Sequence, residues 1–249
     1  MRKRTIWVCI SLALLLGLMV AMIAWAGPIG NEGGSEENVA AYVTDKDGNR
    51  MPLFATDPGV ADLRHVRTPS ELEALYPPSD EASIEHPVPN YPLVIDGVYY
   101  DPGDISRFNG QVLRFVWDDQ TAREGVLYAF TTVEGLETYL REQWNWPTLQ
   151  SFKPSENTDA SQWSQFFEHW WYGGLKLEVN PGFGITNLSV ANFNDIISSM
   201  KVGPDASWAA LYQNTNYGGD QFLRQRNSNE PVLAWHGWND IASSVFVWQ

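Results

Sequence analysis

Two hexapeptides in this sequence place oxygen-bearing side chains at the same spacing: Asn194-Asp195-Ile196-Ile197-Ser198-Ser199 and Asn239-Asp240-Ile241-Ala242-Ser243-Ser244. Each offers an amide oxygen, a carboxylate, two hydroxyls and nearby backbone carbonyls. A hard cation such as calcium takes six to eight oxygen ligands at about 2.3–2.6 Å and tolerates irregular geometry. One such loop cannot fill that shell. Asn, Asp and Ser are also good turn formers, because their side chains bond their own backbone.

Other residues that could do chemistry point nowhere as specific. Asp45-Lys46-Asp47-Gly48-Asn49 has the flavour of an EF-hand loop, but the glycine comes too early and Thr56 stands at the bidentate acid position, so a hairpin turn is expected. His65, His86, His169 and His236 show no metal spacing. The sequence has no GxSxG, Walker or GxGxxG motif and no marked acid/base pair of carboxylates, so no catalytic residue is assigned and a non-enzymatic protein is expected. The single cysteine is Cys9, near the amino terminus. The ten tryptophans beyond residue 26 could supply a sugar platform, but most sit beside core-like patterns.

The elements that must position the two hexapeptides are themselves repeated. Residues 163–202 shifted by 45 positions fall on 208–247 without a gap, with 11 of 40 positions identical. Trp163 falls on Trp208, Tyr172-Gly173-Gly174 on Tyr217-Gly218-Gly219, and Leu188 on Leu233. Trp163, Phe166, Phe167, Trp170 and Trp171 have helical spacing. Their counterparts Trp208, Leu211, Tyr212, Thr215 and Asn216 keep no apolar stripe, so a strand near 163–168 followed by a tight turn is expected in both copies.

The order aromatic-x-x-x-x-aromatic-x-Gly (Phe167…Tyr172-x-Gly174 and Tyr212…Tyr217-x-Gly219), followed about twenty residues on by Asn-Asp-x-x-Ser-Ser, resembles a βγ-crystallin domain of the microbial calcium-binding kind over residues 163–249. The resemblance implies an all-β Greek-key β-sandwich built from repeats 163–203 and 208–249. It further implies two calcium ions shared across a pseudo-twofold. The metal ligands would come from Asn194, Asp195, Ser198, Asn239, Asp240 and Ser243, with backbone carbonyls near His169 and Asn214 as further candidates. Each ion would take a Ser hydroxyl of one motif and an Asn/Asp side chain of the other. With few formal charges per site, affinity in the micromolar-to-millimolar range is expected. The aromatic pair can pack across its folded hairpin, and Phe193 and Trp238 can anchor the loops.

The remainder reads as context. Arg2, Lys3 and Arg4, an apolar run from Ile6 to Ile23 and Ala24-Trp25-Ala26 have the pattern of a signal peptide over residues 1–26, or of an uncleaved anchor. An exported protein is expected, with no membrane association after cleavage. Residues 27–38 read as a flexible acidic linker and 151–162 as a second linker. Residues 39–150 read as a separate small α+β domain that precedes the sandwich. It should hold a hairpin around Asp47-Gly48, a short helix opened by Thr68, a second turn at Asp96-Gly97, strands at 112–117 and 125–131, and a helix begun by a Thr131…Glu134 capping box. The formal charge of −14 becomes −17 without the leader, which argues against nucleic acid as a partner. Besides calcium, an extracellular protein or glycan partner stays open. The alternatives are a secreted protease inhibitor of crystallin-like fold, against which the lack of further cysteine counts, and a ligand-binding, glycan-binding or enzymatic role for residues 39–150.

Overall fold

The computed structural model describes residues 38–77, 84–146 and 162–249, all within one compact unit. The signal-peptide reading, nearly all of the acidic tether and nearly all of the second linker lie outside the described residues.

The repeat folds as two interlocked Greek keys. The first copy supplies β8 (Ser164–His169), β9 (Gly173–Val179), β10 (Phe183–Ile185) and β11 (Ser199–Val202). The second supplies β12 (Trp208–Tyr212), β13 (Gln221–Gln225), β14 (Ser228–Glu230) and β15 (Ser244–Val247). In each copy the third strand crosses to the other sheet. β14 pairs with β11 beside β8 and β9, and β10 pairs with β15 beside β12 and β13. The 45-residue shift also survives in the backbone. Left-handed φ values recur at Trp171 and Asn216, Tyr172 and Tyr217, Gly174 and Gly219, and Asp195 and Asp240. The strand reading of 163–168 and the Greek-key sandwich both stand, and between the sheets Phe166, Phe193, Met200, Leu211, Leu233, Trp238 and Val245 form one buried core.

The amino-terminal region is not a separate unit. β1 (Val39–Thr44) pairs with β9 and carries β2 (Arg50–Phe54) on its far side. β3 (Val60–Asp62) pairs with β10. β6 (Arg114–Val116) runs parallel to β13 and is followed outward by β7 (Leu127–Phe130), β4 (Leu93–Ile95) and β5 (Val98–Tyr100). The physical reason is edge pairing. The sandwich alone would leave β9, β10 and β13 with open ladder groups, and these are the strands that the first half covers. Composition and local periodicity carry no trace of such long-range pairing.

Helices complete the cover. α1 (Pro69–Leu75) is capped by Thr68, whose side chain accepts from the Glu71 N–H. α2 (Asp119–Glu124) is closed by an Asp118/Thr121 capping box and ends at left-handed Gly125. Sequence reading passed over it, although Asp118, Thr121 and Gly125 are the signal. α3 (Val133–Trp144) starts one residue later than expected. Thr132 caps it by accepting from the Gly135 N–H, because Thr131 is drawn away to donate from its N–H and hydroxyl to the Asp96 carboxylate. α1 and α3 lay Leu72, Leu136, Tyr139 and Leu140 into a second core with Trp208, Ala210, Tyr212 and Phe246. β12 is consequently buried on both faces. The Asp45 segment is a hairpin turn, its carboxylate accepting from the N–H groups of Asp47 and Asn49 at 2.9 and 2.8 Å.

A buried polar contact clasps the two halves. His86 Nδ1 lies 2.6 Å from Asp220 Oδ2, its Nε2 lies 3.0 Å from the Phe108 carbonyl, and Asp220 Oδ1 accepts from the Leu113 N–H. Burial opposes charge on this imidazole, but Asp220 and the acceptor carbonyl outweigh it, so its pKa is raised above the ordinary histidine value. A raised folded pKa stabilises fully below the unfolded value of about 6.5, and that contribution disappears as pH climbs through the folded value. The stability difference between wild type and His86→Gln, measured by urea unfolding, should therefore shrink as pH rises above about 6.5; a constant difference would count against a protonated His86. Leu140→Ala, in a fully buried position of α3, should cost about 2–5 kcal/mol and shift a single unfolding transition of the whole unit. Two transitions, only one of them shifted, would restore the two-domain picture.

Candidate functional site

The pseudo-twofold that relates the copies brings the two hexapeptides together. Phe193 and Trp238, each immediately before an Asn-Asp pair, are buried and fix the loops from below. The next turn makes reciprocal backbone bonds. The Asp195 N–H donates to the Ala242 carbonyl at 3.0 Å, and the Asp240 N–H donates to the Ile197 carbonyl at 3.1 Å. Both aspartates take left-handed backbone, φ 54 and 56, which Asp tolerates better than most residues. That conformation directs each carboxylate to the opposite copy. Ser198 Oγ donates to Asp240 Oδ1 at 2.7 Å, and Ser243 Oγ donates to Asp195 Oδ1 at 3.2 Å. The neighbouring amides, Asn239 Nδ2 and Asn194 Nδ2, donate to the other oxygens of the same carboxylates at 2.6 Å.

The folded hairpins complete the surroundings. The Ser199 hydroxyl donates to the His169 carbonyl at 2.7 Å and accepts from the Tyr172 N–H at 3.1 Å. Ser244 does the same with the Asn214 carbonyl and the Tyr217 N–H, at 2.6 and 3.0 Å. The second serine of each motif thus ties down the hairpin turn, and the first faces the crossing carboxylate. The aromatic pairs pack as the spacing implied, Phe167 against Tyr172 and Tyr212 against Tyr217, with centroids 5.5 and 5.3 Å apart and rings edge to face.

Around the first crossing pair lies an open depression of about 390 Å³, lined by Glu168, His169, Trp170, Ser198, Asn239 and Asp240. Asn239 is held there by its Oδ1, which accepts from the Trp170 indole N–H at 2.6 Å. Glu168 and Trp170 were not among the sequence candidates. The signal for both was the contrast between copies, since their counterparts are Gln213 and Thr215. Gln213 brings no charge to the second copy, and its Oε1 is buried without a hydrogen-bond partner. Of the six expected residues, Ser198, Asn239 and Asp240 stand around the first crossing, and Ser243, Asn194 and Asp195 around the second.

The donor set fits a hard divalent cation. Adjacent oxygens on a calcium ion lie about 3 Å apart when each is about 2.3–2.6 Å from the metal. The Ser–Asp oxygen pairs have that spacing. Neutral hydroxyl, amide and carbonyl oxygens with one or two carboxylates form a set suited to calcium rather than to a soft metal.

Third-strand exchange between two Greek keys, folded aromatic hairpins and paired Asn-Asp-x-x-Ser-Ser loops define a βγ-crystallin domain at the carboxy-terminal end of this chain. No protein-family model matches the chain, and no curated protein matches it. The segment is similar to solved βγ-crystallin domains. One from Ciona intestinalis is 28% identical, with 34% of this chain and 96% of that one covered and a TM-score of 0.30. A doubly substituted domain from Clostridium beijerinckii is 31% identical, with the same coverage and TM-score. A doubly substituted clostrillin in complex with nickel is 28% identical, covering 35% of this chain and 98% of that one at a TM-score of 0.30. The similarity spans about a third of this chain.

The hairpin glycines give a local test. Gly219 has φ +71, and a Cβ there would stand 2.9 Å from Asn214 Nδ2, whereas Gly218 has φ −88 and nothing nearer than 3.4 Å. Gly219→Ala should destabilise by more than about 1 kcal/mol and Gly218→Ala by much less, read from thermal melts. Equal losses would show that the folded hairpin does not depend on that left-handed residue.

Proposed function

We propose that this is an exported, non-enzymatic protein whose βγ-crystallin domain binds two calcium ions, one at each Ser–Asp crossing, and is stabilised by them. The observation that carries the reading is the reciprocal pairing of Ser198 with Asp240 and Ser243 with Asp195. Each potential ion sits where the two copies meet, so ligands from both would be tied to one charge. The first ion would draw on Ser198, Asp240, Asn239 and carbonyls of the hairpin turn near His169. The second would draw on Ser243, Asp195, Asn194 and carbonyls near Asn214. The chain's part is to hold these oxygens in place. The crossing hydroxyl would exchange its hydrogen bond to the carboxylate for a shared metal, a small displacement.

Charge distinguishes the two. Glu168 lines the first depression where the second copy has Gln213. Calcium affinity follows the number of charged ligands and neighbours, so the first site should be the tighter. The leader pattern supports export to surroundings where calcium is about millimolar, in the range of weakly charged extracellular modules. An ion that binds only the folded form at a thousandfold its dissociation constant adds about 4 kcal/mol of stability.

Isothermal titration of the full chain with calcium should show two ions and a rise in melting temperature. Asp240→Gly and Asp195→Gly, which suit the left-handed backbone, should each remove one ion and leave the other. Crossing makes a sharper statement. Asp240→Gly combined with Ser198→Ala should lose no more than Asp240→Gly alone, whereas Asp240→Gly with Ser243→Ala should lose both ions. Absence of heat at millimolar calcium, or loss that follows each hexapeptide rather than the crossing, would refute the assignment.

A further inference from the structure

Two neighbouring indoles stand open beside the first crossing. Trp170 is 51% exposed and Trp171 66% exposed. The fold does not require them, because the same backbone in the second copy carries Thr215 and Asn216. At the left-handed position, φ 58 in one copy and 54 in the other, an asparagine is at ease and a tryptophan is not. Trp171 is nevertheless held there, its N–H donating to the Pro231 carbonyl at 2.9 Å and its ring standing edge to face with half-buried Trp235 at 6.3 Å. Trp235 in turn takes the place of Val190 in the first copy. Three indoles therefore gather around this turn, where the symmetry-related positions hold Thr215, Asn216 and Val190, and of the three Trp170 lines the depression at the first crossing. Trp170 is oriented by its bond to Asn239 and stands half exposed in the wall of a depression that also presents Glu168, Ser198 and Asp240.

The chemistry narrows the occupant. Phosphates and other anions are disfavoured by Glu168 and Asp240 and by a chain of net charge −14. A stable protein interface covers about 800 Å² on each partner, far more than two adjacent indoles. A depression of about 390 Å³ is at the scale of one sugar ring. A pyranose offers a face of C–H bonds, which packs on the electron-rich face of an indole, and a rim of hydroxyls, which need acidic and amide partners or a metal.

We propose that the depression beside Trp170 is a carbohydrate-binding site for a neutral pyranose, stacked on that indole with hydroxyls turned to Asn239, Glu168 and the calcium ion at Ser198 and Asp240. The ion's share of this proposal rests on the calcium reading above; the stacking does not. The test is calorimetry and tryptophan fluorescence on the full chain with neutral hexasaccharides of glucose, mannose and N-acetylglucosamine, each in calcium and in chelator. At least one should bind at up to about 10 mM, more tightly with calcium, with a change in indole emission. Trp170→Thr with Trp171→Asn, the residues the second copy already tolerates, should weaken it at least about tenfold. Trp170→Thr alone should carry most of that loss and serves if the double variant folds poorly, whereas Trp171→Asn alone, whose ring meets Trp235 rather than the depression, should weaken it little. Calcium heat without any saccharide binding would overturn this inference and leave the ion reading in place. Saccharide binding that the substitutions abolish but calcium leaves unchanged would support the stacking site and remove the ion's share in it, the calcium reading itself being decided by calcium heat alone. Binding indifferent to both substitutions, or self-association that they remove with no saccharide bound, would overturn the site.

Discussion

The structure depends on backbone bonds exchanged across an internal twofold. The Leu188 N–H donates to the Ser243 carbonyl and the Leu233 N–H to the Ser198 carbonyl, both at 2.9 Å. Asn216 donates to the Thr186 carbonyl as Trp171 does to that of Pro231, again 45 residues apart on both sides. These amides and carbonyls lie where neither copy has a regular ladder of its own, and a buried one left unpaired is costly. Each copy therefore finishes its Greek key only by lending its third strand and its loop groups to the other. The serine and carboxylate oxygens follow from this, because their loops are pinned by partners on the opposite copy.

Symmetry relaxes where the first half of the chain docks. The first copy places Val179, Ile185 and Ala191 in positions that the second fills with Arg224, Glu230 and His236, all buried. His236 Nε2 is 3.1 Å from Glu230 Oε2, and its ring lies between Tyr91 and Trp117 of the appended half and Phe222. Burial holds its pKa below the ordinary histidine value against the pull of Glu230. Arg224 donates to the Trp117 carbonyl at 2.6 Å. A buried polar cluster of this kind needs its partners in place, because a buried charge left unpaired is costly. Here it ties β6 and the segment around Tyr91 to β13.

The repeat region was legible because two copies constrain each other. Trp163 to Trp171 alone has the period of a helix, and only Thr215 and Asn216 at the matching places reveal the turn. The site residues were visible as oxygen donors at equal spacing, and the aromatic pairs as hairpin markers. What stayed hidden has no local signature. The parallel join of β6 to β13, the cover of β12 by α3 and the clasp of His86 on Asp220 link residues more than 50 positions apart, and nothing in the spacing of either partner announces the other. Thr132 displaced Thr131 as a cap for the same reason, since Asp96 reaches across from another strand.

The way β1 and β6 attach has a bearing on the order of assembly. The Arg50–Glu178 and Leu113–Asp220 contacts span 128 and 107 residues of sequence. Closing such long loops is entropically slow, and chains rich in distant pairings fold slowly. The first half can form the β1–β2 hairpin, the β6–β7 pair and short helices early, but β3 lacks its partner strand and β1 and β6 each lack one of their two neighbours until the carboxy-terminal strands have emerged. Synthesis delivers the template last, so the leading part of this chain waits, its outer edges unpaired, for the trailing part to close it.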